Sequence, residues 1–180
     1  KIELNKLYKQ IYFKNNFIVH RDFHVSNIMP VKSKLGIIDT QDVILGNPMY
    51  DVASLIDDVR IQIPLNIKNK IFQYYLKKSP LKKNIYFLKN DFDILSIQRN
   101  LKILGIFYRL YKRDKKPQYL QYLPYTWKLI ELRMKSKIFV IAFSILFVFV
   151  EFFRATETTK KEEVLILFHG LGRTSRSMRK

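Results

Sequence analysis

The 180-residue chain has no cysteine, few glycines and prolines, and only 15 acidic residues. The lack of cysteine excludes both a disulfide framework and a thiolate metal site. The few acidic residues stand against 33 lysines and arginines, so the formal net charge is +18. Hydrophobic residues make up 48% of the chain, which is enough for a folded core. The length is typical of one ordinary domain with an appendage.

The excess of positive charge has two explanations. A lysine-rich coding bias would spread the charge over the surface, whereas a nucleic-acid or anionic membrane partner would favour a concentrated basic patch. The lysines are scattered along the chain, and no recognised nucleic-acid-binding motif accompanies them. We therefore expect no nucleic-acid partner, and we regard attraction of small phosphate-bearing molecules as a lesser use of the charge.

A polar motif near the start of the chain is typical of phosphoryl transfer. His20, Asp22 and Asn27 have the spacing His-x-Asp-x-x-x-x-Asn, and Asp39 follows at the end of an apolar run. In kinase-like folds this pattern supplies a carboxylate that orients and deprotonates the attacking hydroxyl, together with oxygen ligands for Mg²⁺. Asp22 is the candidate base, and Asn27 and Asp39 are the candidate metal ligands.

Apolar runs flank the motif. Residues 17–19 lead into it, and residues 28–29 and 35–38 are separated by a turn-like lysine-serine-lysine segment. The second and third runs predict two short buried strands joined by a tight turn. Such a hairpin would hold Asn27 and Asp39 on adjacent backbone, close enough to share one cation. The alternative is a coincidental polar loop before a hairpin.

Three stretches of the chain share their pattern with one family of enzymes: residues 20–29 (HRDFHVSNIM), 35–42 (LGIIDTQD) and 46–55 (GNPMYDVASL). They resemble the aminoglycoside phosphotransferase family. Within it, the likeness is greatest to bacterial kinases that phosphorylate the cell-wall sugars N-acetylmuramate and N-acetylglucosamine at the anomeric hydroxyl. The resemblance is dense over residues 17–60 and extends thinly to about residue 135. Thr40 departs from the aromatic or aliphatic residue that is usual in the family after the metal-binding aspartate.

The resemblance implies ATP-dependent transfer of the γ-phosphoryl group to a hydroxyl of a small molecule, with Mg²⁺ and ATP as cofactors. The substrate would be an amino sugar or an aminoglycoside-like molecule. By this likeness Asp22 is the catalytic base, Asn27 and Asp39 bind the metal, and His20 and Asp51 support the catalytic loop. Four more residues are candidates for contacts to substrate or loop: Arg21, His24, Gln41 and Asp42.

Some of these residues have simpler interpretations. Asp42 precedes a Gly-Asn-Pro loop signal and is better explained as a turn residue than as a third acidic group near the metal. Asp51 lies in the first turn of a helix predicted to open at Pro48, where the helix dipole favours a carboxylate. Arg60 could meet a sugar-acid carboxylate. However, Arg60 and the aspartates before it are better explained as the solvated end of this helix, which Pro64 terminates.

The sequence as far as residue 133 predicts an α+β fold, the mainly helical C-terminal lobe of a protein-kinase-like fold with short β-hairpins at the catalytic site. Hydrophobic periodicity predicts further helices over residues 3–14, 66–78, 91–113 and 118–133. The chain contains no Gly-rich nucleotide loop and no strand with an ATP-anchoring lysine. We therefore expect a partial domain over residues 1–133 that is inactive alone, unless a separate N-lobe chain from a split gene completes it.

The character of the sequence changes after residue 133. A basic start at residues 134–137 precedes residues 138–150, which carry no charge. A helix over that run rises about 20 Å, short of a hydrocarbon core of roughly 30 Å. Residues 134–155 therefore resemble a signal peptide or, through residues 138–153, an inner-membrane anchor for a cytoplasmic kinase lobe. The alternative is a buried terminal helix.

The last segment, residues 156–180, resembles the start of an α/β-hydrolase. An apolar run ends in the sequence His169-Gly170-Leu171-Gly172, which has the His-Gly-x-Gly pattern of an oxyanion loop. No Gly-x-Ser-x-Gly elbow follows, so no hydrolase triad can be assembled. We interpret the tail as a fusion by read-through. The alternative functions are a membrane-tethered pseudokinase remnant and a truncated lipase-like hydrolase.

Overall fold

A computed structural model describes residues 7–81, 84–136 and 139. Within this part of the chain there are four complete α-helices and two small antiparallel sheets of two strands each. The fold is therefore α+β and mostly helical, as the sequence predicts. The described residues fall into two compact units, divided between Ser96 and Ile97.

The two sheets are nested in sequence. The strands are β1 (Phe17–Val19), β2 (Ile28–Val31), β3 (Lys34–Ile37) and β4 (Ile44–Gly46). Strand β1 pairs with β4 so that Val19 lies opposite Ile44, and β2 pairs with β3 so that Ile28 lies opposite Ile37. The loops over residues 20–27 and 38–43 therefore connect the same ends of the same two sheets. This topology brings the two polar halves of the predicted site together.

The predicted hairpin is present, but its burial was predicted wrongly. Among its apolar side chains, Leu35 is 73% exposed and Val31 54% exposed. A two-stranded ribbon buries a face only where another layer covers it, and no described element forms extensive contacts with β2 and β3. In the other sheet Val19 is buried, and a Cβ added to Gly46 would lie 2.4 Å from Val19 Cγ2. Glycine is therefore required there for β4 to lie this close.

The helices of the first unit form its core. They are α1 (Met49–Ile56), α2 (Leu65–Lys78) and the first part of α3 (Ile85–Lys112). Their buried apolar side chains form one cluster: Met49, Ala53, Ile56, Leu76, Leu88, Phe92 and Leu95. The rings of Phe72 and Phe92 lie 4.7 Å apart between their centroids. This cluster supports α1, the helix that follows the polar loops.

Several predicted helix boundaries differ from those of the structure. Helix α3 begins at residue 85, before its predicted start, and α2 agrees with its prediction to within a residue at its start. Helix α1 ends at Ile56 and does not continue to Pro64, because Asp58 Oδ1 accepts the Arg60 N–H at 3.0 Å in a tight turn. The helical periodicity of residues 66–78 predicts inward positions for Ile67, Ile71, Tyr74 and Tyr75. Of these, Tyr74 is 65% exposed and Ile67 is 39% exposed.

The helix predicted over residues 3–14 was wrong in its second half. The helix ends at Tyr8, and residues 9–16 form turns and irregular backbone. The N–H groups of Tyr12 and Phe13 donate to the two carboxylate oxygens of Asp91, at 2.8 and 2.9 Å. A carboxylate on α3 thus replaces the carbonyls that a continuing helix would have offered.

The aspartates predicted to be a solvated helix end are buried. Asp57 and Asp58 have no exposed surface. Lys68 Nζ lies 2.9 Å from Asp57 Oδ1, and Ser96 Oγ donates to Asp57 Oδ2 at 2.5 Å. The prediction failed because the local pattern of charges does not reveal the buried lysine on the next helix. Only Arg60 matches the expectation, with a side chain 40% exposed.

The second unit contains the rest of α3, a 3₁₀ segment (Pro117–Tyr122) and α4 (Leu123–Met134). The ring of Phe107 lies 5.3 Å from that of Tyr119 and 5.6 Å from that of Tyr122, between centroids. None of the helices in the described ranges has the length and apolar character needed to cross a membrane. Apart from Phe139, the predicted anchor over residues 138–153 lies outside the described residues, as does the predicted hydrolase-like segment over residues 156–180.

Candidate functional site

The loop that carries the His-x-Asp motif is held by a carboxylate from α1. Asp51, in the first turn of α1, accepts the His20 N–H at Oδ2 (2.6 Å) and the Arg21 N–H at Oδ1 (3.0 Å). Arg21 has φ 72°, a left-handed conformation that most residues avoid. Hydrogen bonds to a charged acceptor are stronger than neutral ones, so Asp51 stabilises this strained turn. This is the contact that the family resemblance implies for Asp51.

Asn27 folds back on the same loop. Its Nδ2 donates to the backbone oxygen of Asp22 at 2.9 Å, and its own N–H donates to the backbone oxygen of His24 at 2.9 Å. The side-chain oxygen of Asn27 accepts no hydrogen bond from any described residue. The amide therefore fixes the position of Asp22 with its nitrogen and leaves an oxygen for another ligand.

The second loop is attached to the first by two hydrogen bonds. The Ile38 N–H donates to the backbone oxygen of Asn27 at 3.0 Å. His20 Nε2 lies 2.9 Å from the Ile38 backbone oxygen. Because a carbonyl can only accept, Nε2 carries the proton in this contact. Asp39 follows directly, with φ 65° and an exposed side chain. The hairpin thus places Asn27 and Asp39 on neighbouring backbone, as predicted.

Asp22 is the exposed carboxylate of the loop. Its side chain is 59% exposed, and Oδ1 lies 3.9 Å from Nε2 of the buried His24. This separation is too long for a hydrogen bond, although it is within range of a charge interaction if His24 is protonated. Solvent access suits a base that must meet a hydroxyl from a small molecule.

The other candidate contact residues remain predictions. Gln41 and Asp42 lie in a 3₁₀ turn (Thr40–Asp42) and are exposed, and neither side chain hydrogen-bonds to another described residue. The turn predicted for Asp42 is present. Arg21 is partly buried at the bend of the loop.

The donor set at the two loops fits magnesium. Mg²⁺ prefers oxygen ligands and is usually held by one or two carboxylates, with phosphate and water completing its shell. The unused amide oxygen of Asn27 and the exposed carboxylate of Asp39 are donors of this kind. In the part of the chain that the structure describes, no cluster of three or more His, Cys, Asp or Glu side chains could hold a metal ion. A site with few protein ligands is the arrangement these loops offer.

Sequence reasoning missed two residues that shape the site, Asn47 and Asp91. Asn47 Nδ2 donates to Asp91 Oδ2 at 2.7 Å and to the Phe13 backbone oxygen at 3.1 Å. Its Oδ1 accepts the Met49 N–H at 2.9 Å, which caps the start of α1. An asparagine two residues before a helix was a usable signal for the cap. No local signal predicted Asp91.

Comparison with known proteins places this part of the chain beside a family of enzymes. Residues 14–85 match the Phosphotransferase enzyme family. The matched range includes all four strands, both polar loops, α1 and α2. The resemblance to this family seen in the sequence is therefore confirmed over residues 14–85.

The individual relatives are bacterial sugar kinases. The chain is 33% identical over 118 residues to the N-acetylmuramate/N-acetylglucosamine kinase of Pseudomonas aeruginosa, covering 63% of this chain and 35% of that protein. It is 34% identical over 111 residues to the protein of the same name from Neisseria meningitidis, covering 59% and 33%. For the Caulobacter vibrioides protein the identity is 32% over 113 residues, covering 60% and 31%. The chain thus spans about a third of the length of these relatives.

Proposed function

We propose that this chain carries the catalytic loops of an ATP-dependent kinase that transfers the γ-phosphoryl group to a hydroxyl of an amino sugar. The observation that carries the proposal is the hydrogen-bonded link from Asp22 through Asn27 to Ile38, the residue before Asp39. The likeness to kinases named for N-acetylmuramate and N-acetylglucosamine supports an N-acetylated sugar as the acceptor.

Asp22 is the proposed base. Its carboxylate is exposed, while its backbone oxygen is bound by Asn27 and the preceding loop residues are bound by Asp51. The carboxylate therefore projects from a fixed backbone and can orient a sugar hydroxyl and accept its proton as the phosphoryl group is transferred. His20 supports this arrangement from the other side, through its contact with the Ile38 carbonyl.

Asn27 and Asp39 are the proposed ligands of Mg²⁺. When bound with ATP, the ion neutralises charge on the phosphate oxygens. The contribution of the chain is to hold two oxygen donors on loops joined by the Ile38 N–H and the Asn27 carbonyl. Gln41, Asp42, Arg21 and His24 stay candidates for contacts to the sugar or to the loop.

We further propose that residues 1–133 are a kinase-like C-terminal lobe that works with a nucleotide-binding lobe, supplied by a longer protein or by a separate chain. The comparison with the relatives supports this proposal, because the chain matches only about a third of the length of each. From their sequence patterns alone, we propose residues 134–155 as a leader or anchor and residues 156–180 as the start of a hydrolase-like segment.

The test is phosphorylation of N-acetylmuramate and N-acetylglucosamine by the full chain with Mg-ATP, alone and after addition of the N-terminal part of the Pseudomonas aeruginosa relative. We expect turnover only in the complemented sample. Asp22→Asn should then lower kcat by roughly 10²–10⁴-fold, the usual contribution of a positioned base. Asp114→Asn, which changes a partly exposed carboxylate in the other unit, is the matched control and should leave kcat unchanged. Equal turnover by Asp22→Asn and the parent chain would refute the assignment of the base.

A further inference from the structure

We infer that Asn47 is a positioning residue for the catalytic loop. With Asp91 it fixes the start of α1, and through Asp51 it sets the shape of the loop over residues 20–27. The inference rests on the proposed function for its catalytic consequence, but its structural part can be tested without any activity.

The side-chain amide of Asn47 joins three elements. It is 3% exposed, and its nitrogen donates to the Phe13 backbone before β1 and to Asp91 on α3. Its oxygen accepts the Met49 N–H at the start of α1. Both N–H donors and the oxygen are thus used. A buried amide with every partner in place has one low-energy orientation, because any rotation leaves a buried polar group unpaired.

Asp91 requires the amide of Asn47 as one of its hydrogen-bond donors. The carboxylate is fully buried and accepts three hydrogen bonds, from the N–H groups of Tyr12 and Phe13 and from the amide of Asn47. No cation pairs with it among the residues the structure describes. A buried charge compensated only by N–H donors requires all of them in place, so the loss of one is costly.

The connection to the loop runs along two short paths. Asn47 precedes α1 and Asp51 lies in its first turn, so a shift in the start of the helix moves the carboxylate that accepts the His20 and Arg21 N–H groups. On the other path, Asp91 holds residues 12–13, and β1 then leads directly to His20. The strand that enters the loop and the carboxylate that holds it therefore share the Asn47–Asp91 contact.

A capping role alone makes a different prediction. Asn47→Asp keeps an oxygen for the Met49 N–H and so keeps the cap, but it replaces the donor to Asp91 by a second carboxylate. Asn47→Ser also keeps a capping oxygen and loses the donor without adding charge. If Asn47 only caps α1, neither variant should speed exchange at His20 and Arg21 more than it speeds exchange in the core. If it positions the loop, both should disturb His20 and Arg21.

The experiment is amide hydrogen exchange, resolved by residue, on the full 180-residue chain. We expect Asn47→Asp and Asn47→Ser to speed exchange of the His20 and Arg21 amides by about tenfold or more, since a hydrogen bond to a charged group contributes at least that much. The amide of Leu76 in the core of α2 should be unchanged. Asn66→Asp is the matched control, because Asn66 is exposed and an aspartate can still accept the Ile67 N–H that its Oδ1 accepts.

A double variant provides the rescue. Asn47→Asp combined with Asp91→Asn exchanges donor and acceptor across the 2.7 Å contact and should recover part of the lost protection at His20 and Arg21. In the complemented enzyme, Asn47→Ser should lower kcat several-fold with the KM for the sugar unchanged. Exchange at His20 and Arg21 equal to that of the parent chain, or a uniform rise across the core, overturns the inference. Selective loop exchange together with a fully active Asp22→Asn variant would sustain the positioning role and refute the proposed function.

Discussion

The two ends of α1 use carboxylates in opposite ways. Near its start, the half-buried Asp51 accepts hydrogen bonds from the backbone of the loop over residues 20–27. Just beyond its end, the fully buried Asp57 lies 2.9 Å from Lys68 Nζ and accepts the Ser96 hydroxyl. One end serves a loop, and the other serves contacts between helices.

The two carboxylates differ in which of their partners a mutation can remove. The charge of Asp57 is paired with a buried cation, so the pair stabilises the fold only while both partners are present. Asp51 is bound to backbone N–H groups, which every residue except proline carries, so only a proline substitution at residue 20 or 21 would remove a partner. Substitutions at the two ends should therefore differ in the size and the kind of their effects. Those at Asp57 and Lys68 should lower global stability, and those at Asp51 should change the geometry of the loop.

The largest effect is expected from Lys68→Met. It removes the ammonium group from the fully buried Asp57 and should lower the free energy of unfolding by about 3–5 kcal/mol. Urea denaturation followed by circular dichroism measures the change. The control is Asp57→Asn combined with Lys68→Met, which leaves no unpaired charge and should lose clearly less. A single variant as stable as the double variant would contradict the role assigned to this pair.

Asp51→Asn should have a smaller effect on stability and a larger one on the loop. The amide can still accept through one oxygen, but two charge-assisted bonds to the His20 and Arg21 N–H groups are weakened. We expect a loss of roughly 1.5–3 kcal/mol in the free energy of unfolding. Amide exchange should accelerate first at residues 20–22. Exchange that accelerates equally throughout α2 would show that the two ends of α1 do not differ as described.

Gly46→Ala tests the sheet beside the loop without touching a carboxylate. The new Cβ would lie 2.4 Å from Val19 Cγ2, so β1 and β4 must separate or Val19 must change its rotamer. Overpacking of this kind typically costs about 1–3 kcal/mol. Thermal unfolding should show a lower Tm. The control is Gly36→Ala, where the nearest atom is Val31 Cγ2 at 3.0 Å on an exposed strand, and the Tm should fall less.

The smallest effect is expected from an exposed ion pair in the second unit. Arg113 Nε donates to Asp114 Oδ1 at 2.6 Å, and this hydrogen bond lowers the pKa of Asp114 below its ordinary value of 3.8. A depressed carboxyl pKa contributes stability above the unfolded-state pKa, and that contribution is lost as the pH falls through the folded-state pKa. At neutral pH, Arg113→Gln should leave stability almost unchanged, because exposed pairs contribute little. An NMR titration should show the Asp114 pKa rising toward its ordinary value in this variant, and an unchanged value would contradict the pairing.

Much of the site could be predicted because its parts lie close together in sequence. The spacing of His20, Asp22 and Asn27 fixes which groups one short loop presents. The apolar runs around the next turn predict the hairpin that brings Asp39 back. Proline and the acidic first turn mark the start of α1 and therefore the place of Asp51. Each of these signals lies within a short stretch of consecutive residues.

The errors arose where a side chain finds its partner far along the chain. Asp91 stops the first helix by binding N–H groups 78 and 79 residues away, and periodicity could not reveal this. The sequence predicts Asp57 as a solvent-exposed charge, whereas in the structure Lys68 and Ser96 bind its buried carboxylate. The burial of the hairpin was predicted wrongly for a related reason. An apolar pattern shows which side chains would favour burial, but not whether another part of the chain covers them.

The sequence by itself thus determined which donor groups the loops present, since spacing along a short loop limits which donor atoms can meet. Only the tertiary structure decided how the backbone before and within the first loop is held. Asp51 on α1 binds the N–H groups of residues 20 and 21, and Asp91 on α3 binds those of residues 12 and 13, so both acceptors are remote in sequence from the groups that they bind. The physical reason is that the backbone N–H group is the same at every residue except proline, which lacks it. Which acceptor reaches such a group depends on packing and not on local pattern.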